Sequence, residues 1–220
     1  MHLQALLFDI DGTLIDTNDL HVRCWIEAFA HFGKQFERDV IRHQIGKGGD
    51  LLVPDLLNAK EMRTFGEELK KYRSKLYKDE YMPQAKPFDG AKRALETLHA
   101  RGIRIALASS SNEDEVEYYT QLLGVENLLA GSTSKKDAAH SKPSPEIFRA
   151  ALERTGADEA KTFAVGDTPY DILAAHRIPL PIVAVLSGGF ERELLHKAEY
   201  LFDNVTQIPE SLDELERWFD

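Results

Sequence analysis

A chain of 220 residues holds one core domain with a sizeable insertion, or two small domains, and 43% hydrophobic with 29% charged residues is ordinary for a soluble globular protein. With 37 acidic against 27 basic residues the formal net charge is −10, which argues against nucleic-acid binding because no basic face is in prospect to match a phosphate chain. The single cysteine, Cys24, forms no internal disulfide, the N-terminus lacks a signal series and no apolar run approaches membrane-spanning length, so a cytoplasmic protein with no membrane partner is expected.

Leu3 to Phe8 is an apolar run of strand length that stops at Asp9-Ile10-Asp11-Gly12-Thr13-Leu14. Such a run predicts a buried central strand feeding a tight loop at the carboxyl edge of a parallel sheet, where open α/β folds place their ligands. Two aspartates one residue apart can turn toward the same small volume. Unpaired they repel, so a divalent cation or a raised pKa is implied; a merely acidic turn is the plainer alternative.

The pattern then turns helical. His21, Trp25, Ala28 and Phe32 recur at helical spacing and Gly33 follows, predicting a helix over 18–32. The segment Ile45-Gly46-Lys47-Gly48-Gly49-Asp50 is glycine-rich, but it lacks the ending of a P-loop and follows no strand. A phosphate cradle and a flexible turn both remain open for it. Met62, Phe65, Leu69, Tyr72 and Leu76 form a second stripe between Lys60 and Met82, and no strand pattern occurs between 15 and 82. The region reads as a helical insertion.

Pro83 to Pro87 resembles a linker, after which α/β alternation resumes. Asp89 is placed to cap a helix running through Ala100. Ile103 to Ala108 predicts a strand ending in Ser109-Ser110-Ser111-Asn112, followed by a helix from Glu113 to Leu123 and a short strand at Leu128 to Ala130. Ser144-Pro145 opens a helix closed by Gly156. Thr162 to Val165 is a strand ending in Gly166-Asp167-Thr168-Pro169-Tyr170-Asp171, and Ile182 to Leu186 another ending in Ser187-Gly188-Gly189. An edge strand at Tyr200 to Phe202 and a helix over 209–219 complete an α/β chain with a doubly wound parallel sheet.

Parallel strands bring Asp9, Asp11, Ser109, Asp167 and Asp171 to one edge, with Lys142 in a loop before a helix. Three carboxylates and a lysine suit a phosphate ester with Mg2+, which prefers carboxylate and water oxygens. The chain resembles the haloacid-dehalogenase superfamily of phosphohydrolases, in particular members with a helical cap inserted after the first motif. The resemblance rests on Asp9-Ile-Asp11-Gly-Thr-Leu, Ser109 after Ile-Ala-Leu-Ala, Lys142-Pro143 and Gly166-Asp167-Thr-Pro-Tyr-Asp171.

That resemblance implies a Rossmann-like core over 1–15 and 86–220 and a helical cap over 16–85. It makes Asp9 the nucleophile, Asp11 the acid and base, and Ser109 and Lys142 the holders of phosphoryl oxygens. Mg2+ falls to Asp9, Asp167 and the backbone carbonyl of Asp11. Asp171 becomes a supporting partner of the metal or of Lys142, or else a helix-surface aspartate. Ser110, His21 and Lys47 are further candidates for contact with the substrate, a small phosphorylated metabolite; Lys47 is equally well a structural loop residue. Dehalogenases lack the second aspartate, so Asp11 favours phosphoryl transfer. Asp16-Thr17-Asn18-Asp19-Leu20-His21 resembles the matching segment of β-phosphoglucomutase-type mutases, whose cap-loop arginine aligns with Gly49. Hydrolysis is therefore favoured over a mutase, and a non-catalytic binder of phosphometabolites is the alternative of another class.

Overall fold

The computed structural model describes residues 2–219. β1 (Ala5–Phe8) leads into a two-stranded antiparallel ribbon of β2 (Ile15–Asp16) with β3 (Lys86–Pro87). The remaining strands are β4 (Arg104–Ala108), β5 (Leu129–Thr133), β6 (Thr162–Gly166), β7 (Ile182–Val185) and β8 (Tyr200–Phe202). They join β1 in a parallel sheet of order β5-β4-β1-β6-β7-β8. The chain thus builds outward from β1 to one side and then to the other. The reversal falls beside β1, where open α/β sheets leave a crevice at their carboxyl ends.

Every residue of β1, β6 and β7 is buried, as expected where helices cover both faces and apolar runs are continuous. Strand alternation sends Leu6, Phe8, Leu107 and Val165 into one apolar cluster and Leu7, Ala106, Ala164 and Ala184 into the other. The first face is covered by α6 (Ala91–Ala100), α7 (Glu113–Leu123), α10 (Gln207–Glu210) and α11 (Leu212–Arg217), the second by α8 (Glu146–Thr155) and α9 (Pro169–His176). Burying a side chain of Phe8's size contributes about 2–3 kcal/mol.

Between β2 and β3 every regular element is helical: α1 (Asn18–His31), α2 (Arg38–Arg42), α3 (Gly49–Leu56), α4 (Ala59–Glu61) and α5 (Glu67–Leu76). Two wide π turns, Met62–Gly66 and Tyr77–Tyr81, flank α5. Among the described residues no helix is long and apolar enough to cross a membrane.

Several expectations shift. Asp89 does not cap α6; Gly90 holds that position at φ 79°, a left-handed conformation that glycine adopts cheaply. Strand β5 runs to Thr133 rather than Ala130, because a half-exposed edge strand carries Gly131, Ser132 and Thr133 without an apolar signal. The expected linker contributes Lys86 and Pro87 to a paired ribbon. Helix α8 begins at Glu146 with Pro145, not Ser144, at the cap position. The last helix starts at Gln207, with Pro209 inside its first turn where no backbone donor is needed, and it breaks at Ser211.

Candidate active site

Asp9 follows β1 directly, and its backbone N–H donates to Val165 O at 2.8 Å. Ser109 follows β4, and Asp167 follows β6. The loop after Asp9 turns at Gly12, whose φ of 75° favours glycine and where a Cβ would collide with the Asn18 amide and the Asp167 carboxylate. Gly188, after β7, is held by a similar close approach to Asp167. Both close approaches explain why glycine stands in these loops.

The Lys142 ammonium ties the site together. It donates to Asp9 Oδ1 and lies 2.8 Å from Asp171 Oδ1, with all three side chains nearly inaccessible. Asp171 also serves as the third helical residue of a capping box: its Oδ2 accepts from Thr168 Oγ1 at 2.6 Å and from the Thr168 N–H at 3.0 Å. Asp171 is thus buried and bonded rather than surface-placed.

Asp9, Asp167 and Asp171 each place an oxygen within 4.8 Å of the others. Burial, then repulsion from Asp171 and Asp11 against the pull of Lys142, raises Asp9 to about 7. Burial and the charges of Asp171 and Asp9 push Asp167 well above the carboxylate range. Burial lowers Lys142, but Asp171 and Asp9 outweigh it and keep the ammonium firmly charged. Three buried carboxylates against one ammonium leave excess negative charge, which a hard divalent cation would offset. Asn18 supports the same fit. Its Nδ2 donates to Asp167 Oδ2 at 2.7 Å, while its Oδ1 is buried without a donor, an acceptor that a hydrated cation satisfies.

Asp11 sits in a different environment. Its Oδ1 accepts from Thr17 Oγ1 at 2.6 Å and from His21 Nε2 at 2.9 Å, and its Oδ2 from Ser111 Oγ at 3.1 Å. Burial alone would raise it, yet His21, Thr17 and Ser111 outweigh burial and hold it at about 2. Arg73, from α5, donates through Nη2 to His21 Nδ1 at 2.6 Å. A guanidinium only donates, so Nδ1 is the acceptor and Nε2 carries the proton given to Asp11. His21 also stacks on Tyr77 at 4.2 Å.

Asp9, Asp11, Asn18, His21, Arg73, Ser111, Lys142 and Asp171 line a cavity of about 380 Å3 together with Ser109, Ser110, Lys47 and Gly46 to Asp50. Ser109 Oγ accepts from the Ser111 N–H at 3.1 Å, and the Ser110 hydroxyl is buried with no partner. The Lys47 ammonium is held by Gln44 at 2.8 Å and Asp55 at 2.6 Å, beside the Tyr170 ring. His21 reaches the cavity with both ring nitrogens already engaged. Asp11 Oδ1 accepts two hydrogen bonds and Oδ2 one.

Asn18, Thr17, Ser111 and Arg73 hold this site but carried no assigned role in the sequence. Thr17 and Asn18 stand in a segment that drew attention as a whole, and Ser111 is two residues beyond Ser109. Arg73 lies on a helix whose pattern gave only an apolar stripe.

A family model described as haloacid dehalogenase-like hydrolase matches residues 6–185. Pyrophosphatase PpaX of Anoxybacillus flavithermus is 27% identical over 94% of this chain and 96% of its own, and PpaX of Bacillus velezensis 28% over 93% and 94%. A crystal structure of a hydrolase from Pseudomonas syringae superposes with a TM-score of 0.87 at 27% identity, covering 96% of this chain and 98% of that one. CbbY from Rhodobacter sphaeroides, solved with phosphate, shares the fold at 22% identity and a TM-score of 0.76, covering 94% and 96%. With the match spanning most of the chain and its strand ends converging on one acidic site, the protein belongs to the haloacid dehalogenase-like hydrolases.

Proposed function

We propose that this hydrolase is a Mg2+-dependent phosphatase acting on a small phosphorylated metabolite through an aspartyl-phosphate, with residues 16–85 as a cap over a core of 1–15 and 86–220. The observation that carries the reading is the contrast between two neighbouring aspartates: Asp9 is paired with Lys142, and Asp11 is gripped by three donors from other segments. Two carboxylates in unlike environments suit different tasks in one reaction.

In the first half-reaction an Asp9 oxygen attacks phosphorus, and the bond from phosphorus to the leaving oxygen breaks. Asp11 delivers the proton to that oxygen. In the second, water attacks the phosphorus of the acyl phosphate, its proton passes to Asp11, and Asp9 and phosphate are released. With its carboxyl at about 2, Asp11 is ionised here, the form that takes the proton from water. Donation requires the protonated form, which loosening of the Thr17, His21 or Ser111 contacts favours. Ser109 and Lys142 hold the phosphoryl oxygens, and Lys142 also keeps Asp9 aligned. Asp9, Asp167 and the Asp11 carbonyl would hold Mg2+, which supplies positive charge against the phosphoryl oxygens during transfer. Asp171 orients Lys142.

Hydrolysis is preferred over mutase chemistry because Gly49 offers no cap cation where those mutases have arginine. The relatives named pyrophosphatase add a phosphoanhydride to the substrates worth testing. Phosphate release from a panel of phosphorylated metabolites and pyrophosphate, with Mg2+ and with chelator, tests the proposal. Mg2+-dependent release on at least one compound supports it. Isomerised sugar phosphate without release supports a mutase, and binding without turnover supports the non-catalytic alternative.

A further inference from the structure

In a chain of net charge −10, the mouth of the cavity is unexpectedly rich in lysine. Lys70 and Lys71, at the centre of α5, line it from the helical side, and Lys135 lines it from the turn after β5. The Lys135 N–H donates to Ser111 O at 2.8 Å, which fixes this turn beside the loop that holds Asp11.

Charge pairing separates these cations. Lys70 lies 2.6 Å from Glu67, Lys47 2.6 Å from Asp55, and Lys136, next to Lys135, pairs with Glu113. Arg73 is committed to His21. The acids on the wall are also occupied: Asp50 accepts from Ser141 Oγ at 2.6 Å and Glu115 from Asn112 Nδ2 at 2.9 Å. Among the described residues, Lys71 and Lys135 have no carboxylate within ion-pair distance. Both line the same cavity, one from each side, and the charges of both reach Glu67, which Lys70 first and these two after it hold below its ordinary range.

Resting on the phosphatase reading, we infer that Lys71 and Lys135 form a second anion subsite at the mouth of the cavity, so that the preferred substrate carries a carboxylate or second phosphate remote from the reacting phosphoryl group. One lysine comes from the helical segment and one from the core, so an anion held by both draws the two together over the site. Contacts of this kind, remote from the reacting phosphorus, set specificity.

Glycerol 3-phosphate and 3-phosphoglycerate test this directly, since they differ at the far carbon by an alcohol against a carboxylate. At low salt the wild-type protein should favour the acid in kcat/KM by about tenfold, the yield of two exposed charge contacts together, and the preference should shrink as salt rises. The double variant Lys71→Met, Lys135→Met should bring the ratio close to one, chiefly through KM for the acid, and Lys135→Glu should favour the alcohol. Both lysines are exposed, so a thermal melt should match the wild type. An unchanged ratio in the variants, or a wild-type protein indifferent to the carboxylate, overturns the subsite while leaving the phosphatase reading intact. Absence of phosphate release from both esters and from the wider panel overturns the phosphatase reading and the subsite with it.

Discussion

Asp9, Ser109 and Asp167 are placed by backbone at the ends of neighbouring parallel strands, whereas Thr17, His21, Lys47 and Arg73 come from the mainly helical segment that reaches the core through two-residue strands. The first group is rigid because β1 is bonded on both sides and buried on both faces. The second is held to the site by side chains: Thr17 and His21 on Asp11, Asn18 on Asp167, and Asp50 on Ser141. The sheet edge therefore holds Asp9, Ser109 and Asp167 in fixed positions. The helical side lines the cavity and is joined to that edge by side-chain contacts, which break and re-form more readily than a buried sheet.

The sharpest way to break this division is at Asp9. Asp9→Asn is nearly isosteric and keeps a partner for Lys142, so the fold should persist while turnover drops by about 10³-fold or more. Steady-state kinetics with a thermal melt as the fold control measures it. A folded variant with near-normal turnover would remove the nucleophile from the mechanism.

Asp167→Ala comes next. It should abolish activity or demand far more Mg2+, yet it should raise the melting temperature of the metal-free protein, because one of three crowded carboxylates is gone. The pH dependence follows with a definite sign. Asp9 and Asp167 have folded-state pKa values above their unfolded ones, so the folded chain binds more protons and stability falls as pH rises. For Asp9 that loss runs from the ordinary carboxylate range to about 7. Asp11, lowered to about 2, acts oppositely, and its contribution disappears only in acid below that range. Melts of chelated protein should decline between roughly pH 4 and 7, and Mg2+ should flatten the decline; about 100 times its Kd stabilises by about 2.7 kcal/mol. A chelated protein equally stable at both ends would show that the carboxylates do not repel as described.

The core was legible because its signals are local: an apolar run, then a carboxylate or serine, four times over. Asp9, Asp11, Ser109, Lys142, Asp167 and Asp171 could all be named before any geometry was known. The helical side gave no such reading. The stripe from Met62 to Leu76 marks one buried and four half-buried positions, but nothing in a 3.6-residue period announces π turns or tells Arg73 that it faces His21. Thr17 and Asn18 act only through residues that folding brings near, Asn18 through Asp167 149 positions away. His21 was noticed, but as a substrate contact rather than as a donor to Asp11.

On the helical side the largest effect is expected from His21→Ala. It removes one of the Asp11 donors and strands Arg73, so activity should drop about 10- to 100-fold, the usual range for a side chain that orients a reacting one. The drop should lie in kcat more than in KM. His21→Gln, which keeps a donor, should recover part of it. Equal losses in both variants would mean that packing against Tyr77 matters more than the hydrogen bond.

The smallest effect belongs to Lys47, and it separates two roles that the cavity alone leaves together. Its ammonium lines the cavity but already serves Gln44 and Asp55, and desolvation, which lowers its pKa, is outweighed by Asp55 and Tyr170. If Lys47 is a strut of the loop, Lys47→Ala and Asp55→Ala each remove the same half-exposed ion pair. Both then cost at most about 1 kcal/mol and change all substrates alike. If Lys47 grips the non-reacting end of the substrate, Asp55→Ala leaves the ammonium in place and free of its competitor. Affinity should then hold or improve, while Lys47→Ala reorders the substrates by a few-fold. Parallel KM values for the two variants across several esters decide it. The expected outcome is the first: the ammonium already holds Gln44 and Asp55, so the two variants should shift KM alike on every ester.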